Sequence, residues 1–225
     1  SPELMNEMIS EWRNLIGAEA LVGGWIYLSA SDTNTYPDGA WWELQWDSEV
    51  TATEAWATWV DNEQVAEWTE KYANVFNCDG QNRNSFEAVF PIGAEEFGEF
   101  SESGYFHSEV SLCNYENGAS SEEAKAFLES YTSAVRDSNY EGTGYHFGNY
   151  YGSNNPDADF LWAEFTNSAE STDKVAELFI RDIEPTQFPL FSKFASCNES
   201  TDKYNGWTVF ERDELNFTVN FTKMN

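Results

Sequence analysis

Basic residues are scarce in this chain: 11 Lys and Arg stand against 40 Asp and Glu over 225 residues, a formal net charge of −29. A field of that sign repels phosphate backbones, which excludes nucleic acid as a partner, and it disfavours anionic membrane surfaces for the same reason. No stretch approaches the roughly 18 consecutive apolar residues that a membrane span needs. The opening Ser1-Pro2-Glu3-Leu4 has neither the basic region nor the apolar run of a signal peptide. Histidine occurs twice and cysteine three times. No HxH, HExxH or CxxC spacing is present, so no metal site is expected. A phosphate loop, a nucleophile elbow and a dinucleotide fingerprint are missing as well, so no cofactor is expected either.

What the chain does hold is apolar and aromatic. Hydrophobic residues make up 41%, aromatics 17%, and there are 10 Trp, enough to bury a core and to exclude global disorder. A length of 225 allows one large domain or two of about 110 residues. The acidity suggests an extracytoplasmic or salty setting, where cations screen the surface.

Sliding the sequence on itself by 119 positions aligns it without gaps from Ser1 to about Asp79. Gly23 falls on Gly142, Pro37 on Pro156, Asp38 on Asp157, Ala57 on Ala176 and Cys78 on Cys197. In the second copy, Tyr105–Cys113 alternates as a strand, and Ser120 or Ser121 caps a helix carrying Ala124, Phe127, Leu128, Tyr131 and Val135. Strands at Gly142–Tyr151 and Asp159–Thr166 follow, joined by a turn at Asn154-Asn155-Pro156-Asp157. A helix then begins near Ser171-Thr172-Asp173, is broken or kinked by Pro185 and Pro189, and leads to a last strand, Trp207–Glu211. The order β-α-β-β-α-β is the ferredoxin-like one. The first copy yields a helix from Met5, strands at Val22–Ala30 and Ala40–Asp47, one helix over Thr53–Tyr72 and a strand at Ser85–Phe90. Its opening strand is missing. A surplus alternating segment, Leu215–Thr222, lies beyond the second copy. The expected division is therefore 1–97 for the first repeat, 98–212 for the second and 213–225 for an extra strand. A sheet split at a missing central strand leaves backbone unpaired. The gap has to be filled by residues upstream of Ser1, by this tail, or by the tail of a neighbouring chain.

The segment Trp42-Glu43-Leu44-Gln45-Trp46-Asp47-Ser48, followed by Glu54-Ala55-Trp56, Trp59 and Glu67-Trp68, resembles the dimeric α+β barrel superfamily, within it the antibiotic-biosynthesis-monooxygenase-like group. Leu161–Ser168 repeats the first part more loosely. The resemblance covers most of the chain as architecture but only a short motif as sequence. It implies an α+β fold in which two tandem ferredoxin-like (βαββαβ) domains form a pseudo-dimeric barrel, the first lacking its N-terminal strand. It also implies chemistries as different as cofactor-free oxygenation of phenols, isomerisation and haem degradation, so fold alone selects none. Members commonly carry a helix histidine where Trp59 and Leu178 stand here.

Period-two alternation sorts the strand residues of the second copy. Leu161, Ala163 and Phe165 form the apolar set expected to meet the helices. The opposite face is expected to gather His107, Glu109, His146, Tyr150, Trp162 and Glu164. Two imidazoles and two carboxylates there can bind a divalent ion, form a general acid/base pair, or be an unreactive polar interface. His107, His146 and Glu164 are the catalytic candidates. Tyr150, Trp162 and Glu109, with Tyr27 and Trp41 from the first copy, are candidates for contacting a flat organic ligand.

In a βαββαβ domain the end of strand 1 adjoins the connection into strand 4. That topology pairs Cys113 with Cys197 across an 84-residue loop and leaves Cys78, the first-copy equivalent of Cys197, unpaired. Its own partner is expected at 113 − 119 = −6, shortly before Ser1 in a natural precursor. The leading functional expectation is an extracytoplasmic barrel that binds a small organic molecule, as a cofactor-independent oxygenase or isomerase acting on an aromatic compound. The alternative is a structural or surface-assembly subunit that joins copies of itself by donating its C-terminal strand.

Overall fold

The computed structural model describes residues 1–15, 21–78, 80, 83–93, 95–99, 104–152, 157–199 and 201–212. Six α-helices and eight strands follow in the order α1 (Pro2–Leu15), β1 (Leu21–Ser29), β2 (Ala40–Trp46), α2 (Glu49–Val60), α3 (Glu63–Tyr72), β3 (Glu87–Val89), β4 (Tyr105–Tyr115), α4 (Ser121–Arg136), β5 (His146–Tyr151), β6 (Phe160–Thr166), α5 (Ala169–Leu178), α6 (Glu184–Phe191), β7 (Ala195–Cys197) and β8 (Asp202–Glu211). A π-helical turn, Phe179–Ile183, joins α5 to α6.

The helices start where the sequence offers caps. Ser48 with Thr51 and Ser120 with Glu123 close reciprocal capping boxes on α2 and α4, and the Ser168 hydroxyl accepts from the Ser171 amide on α5. The single helix expected over Thr53–Tyr72 is two. The side chain of Asn62 caps α3 by accepting from the Gln64 amide, and a polar side chain that competes for backbone in this way ends one helix and starts the next.

All strands pair antiparallel in one sheet, in the order β2-β1-β8-β4-β6-β5-β3, with β7 also against β4. The stretch β7/β8-β4-β6-β5 is the 4-1-3-2 order of a ferredoxin-like half. The first half adds β2-β1 at one side, through β1 against β8, and β3 at the other, through β3 against β5. The fold is a tandem α+β barrel. Among the described residues, β2 and β3 each have a neighbour on one side only, which is where the repeat pattern expects the opening strand of the first repeat. The surplus segment Leu215–Thr222 lies outside the described residues.

Two apolar cores lie between the sheet and its helices. One packs Met8, Ile9 and Trp12 of α1 against Ile26 and the half-buried Trp42 and Leu44. The other packs Phe127, Leu128 and Tyr131 of α4 against Phe147 and Phe160. A third cluster, Tyr27, Phe106, Ala163, Phe165 and Tyr204, fills the barrel interior. This corrects the expected faces. Ala163 and Phe165 point inward to the barrel, and Phe160, Trp162 and Glu164 meet the helices. Cys113 and Cys197 are register partners and form the expected disulfide, while Cys78 is free. Closing an 84-residue loop stabilises by up to about 4–5 kcal/mol in the chain-entropy account.

Candidate functional site

Alternation along β4 and β6 turns His107, Glu109, Trp162, Glu164 and Thr166 toward the helices of the second half. There α4, α5, the π-helical turn and α6 roof a cavity of about 720 Å³ over them. Part of the wall is aromatic, from Phe127, Tyr131, Tyr145, Trp162 and Phe191. Trp162 lies edge-on to Tyr131 at 4.9 Å and parallel to Phe147 at 5.8 Å, and Phe127 packs against Phe191 at 5.3 Å. A π-helical turn widens the helix and displaces side chains from the regular ladder, a device found often at functional sites. Here it sets Phe179 and Ile180 on the cavity wall.

A group of polar side chains meets around Glu164. The Tyr145 hydroxyl donates to Glu164 Oε1 at 2.5 Å and lies 2.9 Å from the Tyr131 hydroxyl, which therefore donates to it in turn. Glu109 sits directly opposite Glu164 across the β4–β6 ladder and pairs with Lys203 Nζ at 3.1 Å. Burial pushes the Glu164 carboxyl above the usual range; donation from Tyr145 works against this, and the neighbouring charge of Glu109 adds to it. Burial also holds the Tyr131 and Tyr145 phenols well above their usual range, so both remain donors. The His107 imidazole lies 2.9 Å from Thr172 Oγ1 and is 7% exposed. Burial lowers its pKa, and the charge of Glu109 opposes the shift.

The six-residue face expected from alternation is thus divided between the two sides of the sheet. His107, Glu109, Trp162 and Glu164 line the cavity. His146 and Tyr150 lie in the barrel interior with Tyr27, while Trp41, the register partner of Tyr27, is 41% exposed. His146 is the register partner of Phe165 and stacks on its ring at 4.6 Å, so it cannot join His107 in one acid/base pair. Inside the barrel, Tyr27 and Tyr150 both donate to Glu43, at 2.6 and 2.9 Å, tying the two halves together through a carboxyl that burial holds above the usual range. Trp41 Nε1 donates to the Tyr204 hydroxyl at 3.1 Å. Among the described residues no group of three or more His, Cys, Asp or Glu could hold a metal ion. At position 178 a buried leucine packs in the core, so the helix histidine of the resembled group has no counterpart there.

Sequence reasoning missed Tyr131, Tyr145 and Thr172 as polar members of the site. Tyr131 carries the helical spacing of a core residue, and nothing local distinguishes it from one. The π-helical turn left only an indirect mark, the prolines after it, which do not break the helix as expected: Pro185 stands in the first turn of α6 and Pro189 inside it.

No protein-family model matches the chain, and no curated protein matches it. Similar solved structures include a putative chlorite dismutase, at 10% identity over 93% of this chain and 86% of that one, with a TM-score of 0.45. Another is an anthrone oxidase-like protein, at 12% identity over 94% and 90%, with a TM-score of 0.47. A third is a haem-binding protein from Thermus thermophilus, at 15% identity over 95% and 82%, also at 0.47.

Proposed function

We propose that the protein binds a small, flat organic molecule in the second-half cavity, and that Glu164 is the proton acceptor of a cofactor-independent isomerase or oxygenase reaction on it. The observation that carries this is the meeting of aromatic side chains, Phe127, Tyr131, Trp162 and Phe191, with the buried carboxyl of Glu164, hydrogen-bonded by Tyr145, in a cavity of about 720 Å³, the composition of a small-molecule site. Both reaction types begin by removing a proton from an acidic carbon or hydroxyl, and the oxygenase reaction then takes dioxygen as co-substrate and oxidant. A carboxyl raised toward neutrality is a stronger base than an exposed one. In an isomerisation Glu164 returns the proton to a second carbon, so the reaction closes without an oxidant. Tyr145 and Tyr131 form a donor chain that steadies the carboxylate before it takes the proton and after it has returned it. An extracytoplasmic setting agrees with the disulfide and the acidic surface, and among the described residues no helix is long and apolar enough to cross a membrane.

Titration of intrinsic fluorescence with a panel of phenolic and polycyclic aromatic compounds tests the reading. Trp162→Ala is expected to weaken binding by about tenfold, the equivalent of roughly 1.4 kcal/mol. Glu164→Gln should keep binding and lose turnover by about 10²–10⁴-fold. His146→Ala should leave affinity unchanged, since its ring faces the barrel interior. Saturable binding that is indifferent to Trp162→Ala and lost on His146→Ala would move the site to the other side of the sheet.

A further inference from the structure

The polarity of α6 is inverted. Gln187 is 8% exposed, while its apolar neighbours Phe188 and Leu190 are 55% and 40% exposed. A helix placed for packing alone does the reverse, because a buried amide gives up the hydrogen bonds that water offered it. Spacing fixes which side chain goes inside. Ile183, Gln187 and Phe191 recur every four residues and so share one face of the helix. Ile183 is fully buried, and Gln187 and Phe191 both line the cavity. Only half of the buried amide is answered by the protein. Its Oε1 accepts from the Ser130 hydroxyl of α4 at 3.3 Å. Its Nε2, which carries two hydrogens, donates to nothing among the described residues.

The charges around the cavity narrow what that amide can hold. The lining carries Glu109, Glu116 and Glu164 but, among the described residues, neither Lys nor Arg, and Lys203 alongside is already paired with Glu109. A carboxylate or phosphate on the ligand would meet repulsion there. An uncharged carbonyl oxygen meets none, and it is the acceptor that an unpartnered N–H needs. We propose that Gln187 holds the carbonyl oxygen of an uncharged ligand from the α6 roof, while Glu164 on β6 takes a proton from the adjoining carbon. The assignment rests on the reading of Glu164 as the proton acceptor. In that step the C–H electron pair becomes a C=C bond, the carbonyl pair moves onto oxygen, and the proton passes to the carboxylate. Nothing is oxidised or reduced. Gln187 then faces a negatively charged oxygen, to which an N–H bonds more strongly than to a neutral one. Its contribution is therefore larger to proton removal than to binding.

The test uses three probes on the full chain: β-tetralone, a bicyclic ketone; tetralin, the same skeleton without the oxygen; and β-naphthoate, an anion of similar size. Affinities are read by calorimetry, and proton removal by exchange of the ketone's α-hydrogens in heavy water, followed by NMR. Gln187→Met keeps the length of the side chain and removes both donors. It is expected to weaken β-tetralone about fivefold and leave tetralin unchanged, which also shows the cavity intact. Catalysed exchange should fall further, by about 10²-fold. β-Naphthoate should bind more weakly than the ketone. Equal loss of ketone and hydrocarbon, an unchanged exchange rate, or tightest binding of the anion overturns the proposal. Glu164→Gln should stop the exchange while the fivefold effect of Gln187→Met on ketone affinity persists in that background. Exchange that survives Glu164→Gln but still falls with Gln187→Met upholds the oxygen-holding role and removes Glu164 as the base. Saturable binding of none of the three probes overturns both.

Discussion

A histidine held neutral among aromatic rings makes stability depend on pH even where it takes no part in chemistry. Burial lowers the pKa of His146 to about 4, against roughly 6.5 in an unfolded chain. Between those values the unfolded chain binds the extra proton, so stability is whole above about pH 6.5 and falls as the pH drops toward 4. Each tenfold difference in proton affinity corresponds to about 1.4 kcal/mol, and partial exposure screens some of it, leaving a loss of roughly 1–2 kcal/mol. His146→Phe keeps a ring on Phe165 and should flatten the profile over that range, read as denaturant midpoints from pH 7 to 4. A profile as steep as that of the parent chain would assign the acid sensitivity to other groups. Glu43 shows the limit of sequence at this scale. Its partners Tyr27 and Tyr150 lie 16 and 107 residues away, and no local pattern links the second to it.

At the scale of elements, order and type were largely legible, because strand alternation, helical spacing and serine caps are local signals. Orientation was not. A strand with helices on one face and the interior of the curled sheet on the other is buried on both, so hydrophobicity no longer tells core from solvent. Leu161, Ala163 and Phe165 read as the helix-facing set because they are the more uniformly apolar, yet Ala163 and Phe165 pack inside the barrel. The Cys113–Cys197 pairing was legible because it depends on strand order alone. The barrel interior also explains two strand glycines. A Cβ on Gly206 would come within 2.1 Å of the Phe106 ring, and one on Gly148 within 2.4 Å of the Phe90 ring, so each glycine leaves room for an aromatic laid across the ladder. Gly206→Ala is expected to cost about 1–3 kcal/mol through overpacking, measured by urea denaturation. Gly93→Ala, where an added Cβ meets nothing within 4 Å, should change the midpoint little. Equal effects from the two would remove the packing explanation.

At the scale of the whole molecule the dominant fact is charge. The described ion pairs mostly involve exposed side chains, such as Lys71 with Glu7 and Glu11, and exposed pairs contribute little individually. The remaining carboxylates repel one another, and folding brings them closer than they stand in the open chain. The screening length is about 30 Å at 0.01 M salt and about 3 Å at 1 M, so added sodium chloride should remove most of this repulsion. The expected result at pH 7 is a melting temperature that climbs from 10 mM to 500 mM salt, at about 2–4 °C per kcal/mol of repulsion relieved for a chain of this size. The control is internal to the molecule. Near the isoelectric point, pI ≈ 4.1, net repulsion vanishes while the apolar cores are unchanged, so the rise with salt should disappear there. A salt response of equal size at both pH values would trace the effect to strengthened apolar burial, which added salt can also produce, and not to the acidic surface.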